Sequence, residues 1–362
     1  MACPAFQSTM KDLFAGVMAG GKGERLWPLS RESHPKQFLK IGRKKTLIEL
    51  TVERLENLVP PENIFFITTE KLRKKFEEYF PDYHKLYEPV GKNTAAACAF
   101  VAQVVQQVAG DNAIIFMVPA DHVIVDLEGF KKTVEFATDV ARKGFLVTLG
   151  IIPDRPETGY GYIERDGILQ EKEDLKAFKV KKFHEKPSRE KAIEYLRSGN
   201  FYWNSGMFAW RVGDIMNAFK MYMPGLYALL EKYDLTKTED ILAFYGEVEE
   251  TSIDYGIMEK AKNIAVVEAL FDWEDVGSFS SFDRVVETDE NENVIIGDAV
   301  VLGGRKNIVV SSGGLVAIYG VEDMVVIHTQ DVTLVIPREE AQNVKKLLRE
   351  VRKIEGFESY WK

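Results

Sequence analysis

From residue 13 to residue 183, short apolar runs alternate with segments whose apolar positions recur at helical spacing. The strand-like runs are Leu13–Met18, Ile64–Thr68, Ala113–Val118, Leu146–Ile151 and Ala177–Phe183. Between them lie Leu47–Leu58, Glu70–Phe80, Thr94–Ala109 and Gly129–Lys143, which the period reads as helices. Such alternation predicts an α/β domain with a mostly parallel sheet covered by helices. In sheets of this kind ligands gather at the carboxyl ends of strands. The glycine-rich stretch after Met18 and the Pro119-Ala120-Asp121-His122 stretch after Val118 both take that position.

Near residue 290 the helical period disappears. Val294–Ile296, Ala299–Leu302, Ile308–Val310, Leu315–Tyr319, Met324–His328 and Val332–Ile336 are short β runs punctuated by Gly, Asn and Asp. Coils of about six residues in a short β-helix produce this pattern. A charged amphipathic helix is predicted over Ala341–Lys353. No low-complexity linker intervenes, so the expected organisation is one domain over 1–288 and a β module with its terminal helix over 289–362.

Composition narrows the function classes. The 362 residues carry 47 Lys and Arg against 56 Asp and Glu, a formal net charge of −9, which disfavours non-specific nucleic-acid binding. Phosphate-facing cations would therefore form a local cluster. The two cysteines, Cys3 and Cys98, form no C-x-x-C, so neither a zinc ribbon nor a disulfide framework is expected. No apolar run has the length of a membrane span. The N-terminus lacks the basic start and apolar core of a secretory signal, and a cytoplasmic protein is expected. The five histidines make no H-x-x-x-H or H-E-x-x-H, and no G-x-S-x-G occurs, which disfavours a zinc hydrolase or a serine acyl-enzyme.

The densest chemistry lies in Ala19-Gly20-Gly21-Lys22-Gly23-Glu24-Arg25. Three glycines in four positions let backbone N–H groups approach something bulky, and Lys22, Arg25 and Lys36 add positive charge. These are the requirements of a polyphosphate. The string is neither a Walker loop nor a dinucleotide fingerprint: from Gly21 the latter frame gives Gly23 and then Leu26. Taken alone, the loop also fits a surface turn with stray charges. Asp121 and Asp275 are candidate magnesium ligands, because magnesium takes one or two carboxylates plus substrate phosphates; taken singly, each also fits a turn aspartate. Glu157–Tyr162 is a glycine-aromatic loop, either a ligand wall or a hairpin corner. In His184-Glu185-Lys186-Pro187, Glu185 suits sugar hydroxyls and Lys186 a phosphate, or the two form a solvated pair. Asn204, an amide amid aromatics, requires a hydrogen-bond partner from structure or ligand.

In order along the chain, AGGKGERLWPLSR, HPKQFL, EPVGKNTAAA, PADH, PETGYGYI, FHEKP, FYWNSGMFAW, TSIDYGIME and WEDVGSF occupy residues 19–279. Together they resemble the sugar-1-phosphate nucleotidylyltransferases, and within them the bacterial mannose-1-phosphate guanylyltransferases (GDP-mannose pyrophosphorylases). The tail from Val316 to Leu347 resembles that family's C-terminal β region. The resemblance implies a Rossmann-like, GT-A-like nucleotidyltransferase domain: a mixed sheet with helices on both faces, plus a small left-handed β-helix-like module. It implies transfer of GMP from GTP to mannose 1-phosphate in GDP-mannose biosynthesis, with Mg2+ as cofactor, a homodimer, and no nucleic-acid or membrane partner. Arg25, Lys36, Asp121, Lys186 and Asp275 would be catalytic. Ala19, Gly20, Gly21, Gly23, Glu88, Asn93, Thr94 and Asp121 would bind the nucleotide. Gly161, Glu185, Lys186 and Asn204 would bind the sugar phosphate, and Asp121 and Asp275 the metal. The family's N-T-A-P-A is here Asn93-Thr94-Ala95-Ala96-Ala97, which implies a less rigid loop. The chain ends before the cupin-like isomerase domain of longer relatives, so isomerase activity is not expected. The rivals are a sister enzyme for another base or sugar, and a non-catalytic subunit that senses nucleotide sugars.

Overall fold

The structure is a computed structural model describing residues 12–362, so the expectations for Cys3 and the N-terminal segment lie outside the described residues. The described chain divides into two units, residues 12–20, 54–119 and 125–272 in the first, and 21–53, 120–124 and 273–362 in the second.

The first unit is built on nine strands: β1 (Leu13–Met18), β2 (Ile64–Thr69), β3 (His84–Glu88), β4 (Ile114–Pro119), β5 (Leu146–Ile151), β6 (Tyr162–Lys172), β7 (Leu175–His184), β8 (Phe201–Arg211) and β9 (Ile264–Glu268). The described helices are α1 (Leu47–Glu56), α2 (Arg73–Tyr79), α3 (Asn93–Ala109), α4 (Leu127–Ala141), α5 (Arg189–Ser198), α6 (Val212–Tyr222), α7 (Pro224–Lys232), α8 (Thr238–Glu247) and α9 (Val344–Val351). The sheet order is β3-β2-β1-β4-β8-β5-β9-β7-β6. Strands β3, β2, β1 and β4 run parallel, with Met18 opposite Pro119, so two carboxyl ends lie side by side. Strand β8 is antiparallel to both β4 and β5, and β6 and β7 pair antiparallel. The sheet is therefore mixed, as the resemblance implies, and not mostly parallel as the alternation alone predicts. Apolar patterning reports burial, which a central strand has in either direction.

Helix α3 is the main cover of the parallel half. Its residues Ala95 to Val105 are all buried, and the small alanines bring the helix close to β1. It carries Cys98, whose thiol burial pushes far up, making it a packing residue.

The second unit contains β10 (Val294–Ile296), β11 (Ala299–Leu302), β12 (Ile308–Ser311), β13 (Val316–Tyr319), β14 (Met324–His328) and β15 (Thr333–Pro337). Strands β10, β12 and β14 form one parallel stack closed by antiparallel β15, and β11 and β13 form another. Parallel stacking of consecutive coils is the β-helix-like arrangement. An asparagine pair braces it: Asn293 Oδ1 accepts from the Asn307 backbone N–H at 2.9 Å and from Asn307 Nδ2 at 3.1 Å. The core of this unit is not made by the β module alone. Leu26, Trp27, Leu39, Val123, Val276, Phe279 and Phe282 share one buried cluster with Val294, Ile308, Val325, Ile327, Val344 and Leu348. The residues flanking the glycine loop, Asp121 and Asp275 are thus fixed in one apolar body.

Candidate active site

In the second unit, three distant segments converge. Val123 and Glu274 exchange both backbone hydrogen bonds, at 2.9 and 3.0 Å, and this bridge sets Asp121 and Asp275 side by side. Lys36 enters between them. Its Nζ lies 2.8 Å from Asp121 Oδ2, 3.0 Å from Asp275 Oδ1 and 2.5 Å from the Asp275 carbonyl oxygen. Gly23 has φ +65°, and a Cβ there would sit 2.5 Å from Lys36 Cβ, so this position requires glycine for conformation and for space. Val276 takes φ +49°, a region β-branched residues avoid, directly after Asp275.

The charges are strongly coupled. Burial pushes the Lys36 ammonium down, but the carboxylates of Asp121 and Asp275 outweigh it and raise it. Burial pushes Asp275 up, but Lys36 and Arg25 lower it to about 2. Arg25 Nη1 donates to Gln342 Oε1 at 2.9 Å, which aims the guanidinium, and Gln342 is itself held by Ser278. Glu24 accepts from Arg352 and Lys345, at 2.6 and 3.1 Å, and these contacts overcome its burial to keep it ionised. A cavity of about 350 Å³ opens here, lined among others by Lys22, Arg25, Lys36, Asp121, Asp275 and Lys345. It is small, cation-rich and floored by carboxylates.

Asp121, His122 and Asp275 offer ligand atoms within 4.8 Å of one another. The histidine is set apart by its hydrogen bond. His122 Nδ1 accepts from Trp273 Nε1–H at 3.1 Å, so the neutral ring carries its proton on Nε2. That N–H faces Asp275 Oδ1 at 3.7 Å and Asp121 Oδ1 at 4.0 Å. A protonated Nε2 has no lone pair for a metal. The two aspartates remain, and their hard oxygens suit magnesium. The ammonium already between them shows that this spot is made for a cation.

The first unit carries the other expected residues in two groups. Ala19 is buried, with its N–H given to the Ile67 carbonyl at 2.8 Å and its carbonyl accepting from Thr68 Oγ1 at 3.1 Å, so it anchors the loop through both backbone groups. Gly20 is exposed, and a Cβ there would meet Glu88 Oε2 at 3.4 Å. Glu88 is 5% exposed; burial raises it to about 7 despite the 3.0 Å hydrogen bond from Tyr245 OH. Asn93 opens α3 at φ +66°, and Thr94 Oγ1 accepts from the Ile253 N–H at 2.8 Å. Gly21, in the second unit, is exposed with nothing near its missing side chain.

The second group is Gly161, Glu185 and Asn204. A Cβ on Gly161 would sit 3.1 Å from Glu185 Oε2 and 3.6 Å from Asn204 Cβ, so the missing side chain leaves both exposed to a ligand. The Asn204 amide is oriented by the Gly206 N–H, which can only donate and reaches Oδ1 at 3.1 Å. Its Nδ2 therefore faces Asp254, donating to Oδ1 at 2.7 Å. Lys186, at φ +37°, extends an exposed side chain that pairs with Glu185 at 3.2 Å. Tyr160 and Tyr162 turn to the interior instead, against Trp203 and Tyr195.

Sequence reasoning left out His122, Gln342, Tyr245 and Asp254. His122 and Asp254 stand inside the family-like motifs and Gln342 inside the family-like tail; nothing in the sequence marks Tyr245.

A family model for nucleotidyl transferases matches residues 15–292, and one for the MannoseP isomerase/GMP-like beta-helix domain matches residues 297–351. The chain is 38% identical over 352 residues to a mannose-1-phosphate guanylyltransferase of Escherichia coli K12, covering 94% of this chain and 73% of that protein. It is 39% identical over 345 residues to a mannose-1-phosphate guanylyltransferase of Klebsiella pneumoniae, covering 91% and 72%. A crystal structure from Thermus thermophilus, described as a mannose-1-phosphate geranyltransferase, superposes with a TM-score of 0.87 at 36% identity, covering 94% of this chain and 99% of that one. Among the described residues no helix is long and apolar enough to cross a membrane.

Proposed function

We propose, from the premise that this chain belongs to the mannose-1-phosphate guanylyltransferases of the nucleotidyl transferase family, that it transfers GMP from GTP to mannose 1-phosphate and releases pyrophosphate. The observation that carries the reading is the Lys36 ammonium clasped by Asp121 and Asp275 in a cavity ringed by further cations.

In this reaction a phosphate oxygen of mannose 1-phosphate attacks the α-phosphorus of GTP in line. The bond from the α-phosphorus to the bridging oxygen breaks, and the electron pair leaves with pyrophosphate. The nucleophile is mostly dianionic at neutral pH, since a phosphomonoester's second pKa is about 6. No general base is therefore needed, and positioning and charge stabilisation carry the rate. Asp121 and Asp275 would hold a magnesium ion, which would supply positive charge against the phosphates. Gly20, Gly21 and Gly23 present the backbone to the triphosphate, and Arg25 and Lys36 meet its β- and γ-phosphates. Glu88, Asn93 and Thr94 flank the nucleoside. Gly161, Glu185 and Asn204 hold the mannose hydroxyls, and Lys186 its phosphate. A cytoplasmic homodimer belongs to the same reading; light scattering measures the latter.

The test is pyrophosphate release across four nucleoside triphosphates and several hexose 1-phosphates, with and without magnesium. GTP with mannose 1-phosphate is expected to give the highest kcat/KM, and magnesium to be required. Preference for another pair overturns the substrate assignment; no turnover with any pair overturns the enzymatic one.

Two substitutions separate the roles. Arg25→Ala removes a cation from the leaving group, where charge grows in the transition state. It is expected to lower kcat about a hundredfold, with little change in either KM. An unaltered kcat removes Arg25 from the mechanism. Lys186→Ala is expected to raise the KM for mannose 1-phosphate about tenfold, the scale of one exposed charge-assisted contact, and to leave the KM for GTP unchanged. A rise confined to GTP places Lys186 elsewhere.

A further inference from the structure

Asp254 lies on a single π-helical turn, Asp254–Met258, beside the group formed by Gly161, Glu185 and Asn204. Such turns are rare and concentrate at functional sites. The segment is tied to the start of α3 on its N-terminal side: Thr94 Oγ1 accepts from the Ile253 N–H at 2.8 Å, and the Ala95 N–H donates to the Thr251 carbonyl at 3.1 Å. The backbone of Asp254 is thus held independently of its side chain. Among the described residues the carboxylate has one side-chain hydrogen-bond partner, Asn204 Nδ2 on Oδ1, and no side chain donates to Oδ2. Asn204 in turn spends its Oδ1 on the Gly206 N–H and Thr148 Oγ1, which leaves its second amide hydrogen uncommitted beside that carboxylate. Burial lifts the Asp254 carboxyl, more than the Asn204 contact and its own backbone N–H lower it. The environment is short of donors, and a ligand hydroxyl would supply one.

We infer that Asp254 contacts substrate and determines sugar selectivity. Its Oδ2 accepts a hydrogen bond from one ring hydroxyl of the sugar 1-phosphate, while the free amide hydrogen of Asn204 donates to the neighbouring one. A carboxylate and an amide locked 2.7 Å apart present acceptor and donor side by side, which matches two vicinal hydroxyls and rejects a sugar whose hydroxyl points away. This inference rests on the sugar end of the site being at Gly161, Glu185 and Asn204.

The experiment is a cycle between protein and substrate. Wild type, Asp254→Ala and the isosteric Asp254→Asn are assayed by pyrophosphate release with GTP and mannose 1-phosphate, and with its 2-deoxy, 3-deoxy and 4-deoxy forms. Both variants are expected to raise the KM for mannose 1-phosphate about ten- to a hundredfold, the loss of a hydrogen bond to a charged group, with the KM for GTP unchanged. One deoxy sugar that wild type uses poorly should be used by Asp254→Ala as well as the parent sugar, because the contact is already gone. A purely structural role for Asp254 would weaken all four sugars alike, and that outcome overturns the inference. Asp254→Asn, which keeps the shape that packs against Asn204, serves the same comparison if the alanine variant does not fold. If wild type prefers another hexose 1-phosphate, the mannose assignment fails separately, and the same cycle on that sugar's deoxy forms still judges Asp254.

Discussion

Asp275→Asn is expected to lower kcat about a thousandfold, roughly 4 kcal/mol of transition-state stabilisation, while leaving the protein folded. The substitution keeps the shape of the side chain and removes one negative charge. In the present arrangement that charge lies 3.0 Å from Lys36 Nζ, and the ammonium keeps its second partner, Asp121, at 2.8 Å. No buried cation is left unpaired, so the fold does not bear the penalty that removing every partner would bring. In the proposed reaction this would remove one of the two carboxylates that could hold a metal. The check is steady-state pyrophosphate release over a range of magnesium concentrations, with circular dichroism to verify the fold. The variant should need more magnesium for half-maximal rate and should not regain wild-type kcat at saturation. A rate within tenfold of wild type would show that Asp275 is a structural partner of Lys36 and no more.

Glu88→Gln is expected to stabilise the protein by about 4 kcal/mol above pH 8 and by only about 1 kcal/mol near pH 5. Burial raises the Glu88 carboxyl to about 7 in the folded state. In the unfolded chain it titrates at about 4.3. Between those values the folded protein binds the proton and the unfolded chain does not, so stability from this group falls as pH rises through that window and stays reduced above it. Glutamine cannot ionise and still accepts the hydrogen bond that Tyr245 gives to Oε1 at 3.0 Å. Urea denaturation followed by tryptophan fluorescence at about pH 5 and about pH 8 reads the difference. Equal shifts at both pH values, or destabilisation at the higher one, would mean that Glu88 is ionised in the folded state. The same substitution tests the nucleotide role proposed for Glu88, whose Oε2 a Cβ on Gly20 would meet at 3.4 Å.

Some strands legible in the sequence are buried along their length, and others, such as Leu175–His184 and Ala299–Leu302, are half-exposed. Leu13–Met18 and Leu146–Ile151 have the bounds their predominantly apolar runs predict, as strands buried on both faces of a sheet read. Four strands did not announce themselves. His84–Glu88 and Tyr162–Lys172 are half-exposed and mix charge with apolar residues, Ile264–Glu268 is short, and Phe201–Arg211 is broken in mid-strand by Asn204-Ser205-Gly206. That interruption carries Asn204, the residue assigned to the sugar in the proposed function, so the residue that spoils the strand pattern is also a candidate site residue. Helix α3 begins at Asn93 rather than Thr94, and the terminal helix begins as a 3-10 turn over Arg338–Asn343 before Val344–Val351; ends fray where pattern gives no cap.

The sequence by itself determined the α/β class, the change to stacked short strands after residue 290, and the kind of chemistry, because glycine spacing, charge type and apolar period are local properties. It named Lys36, Asp121 and Asp275 without being able to bring them together. The tertiary structure did that through the paired backbones of Val123 and Glu274 and the buried cluster around Leu26, Val276 and Phe279. It also set the tautomer of His122, through one hydrogen bond from Trp273. Coulomb attraction and tautomer choice depend on separations of a few ångströms between residues far apart in the chain, and only folding sets those distances.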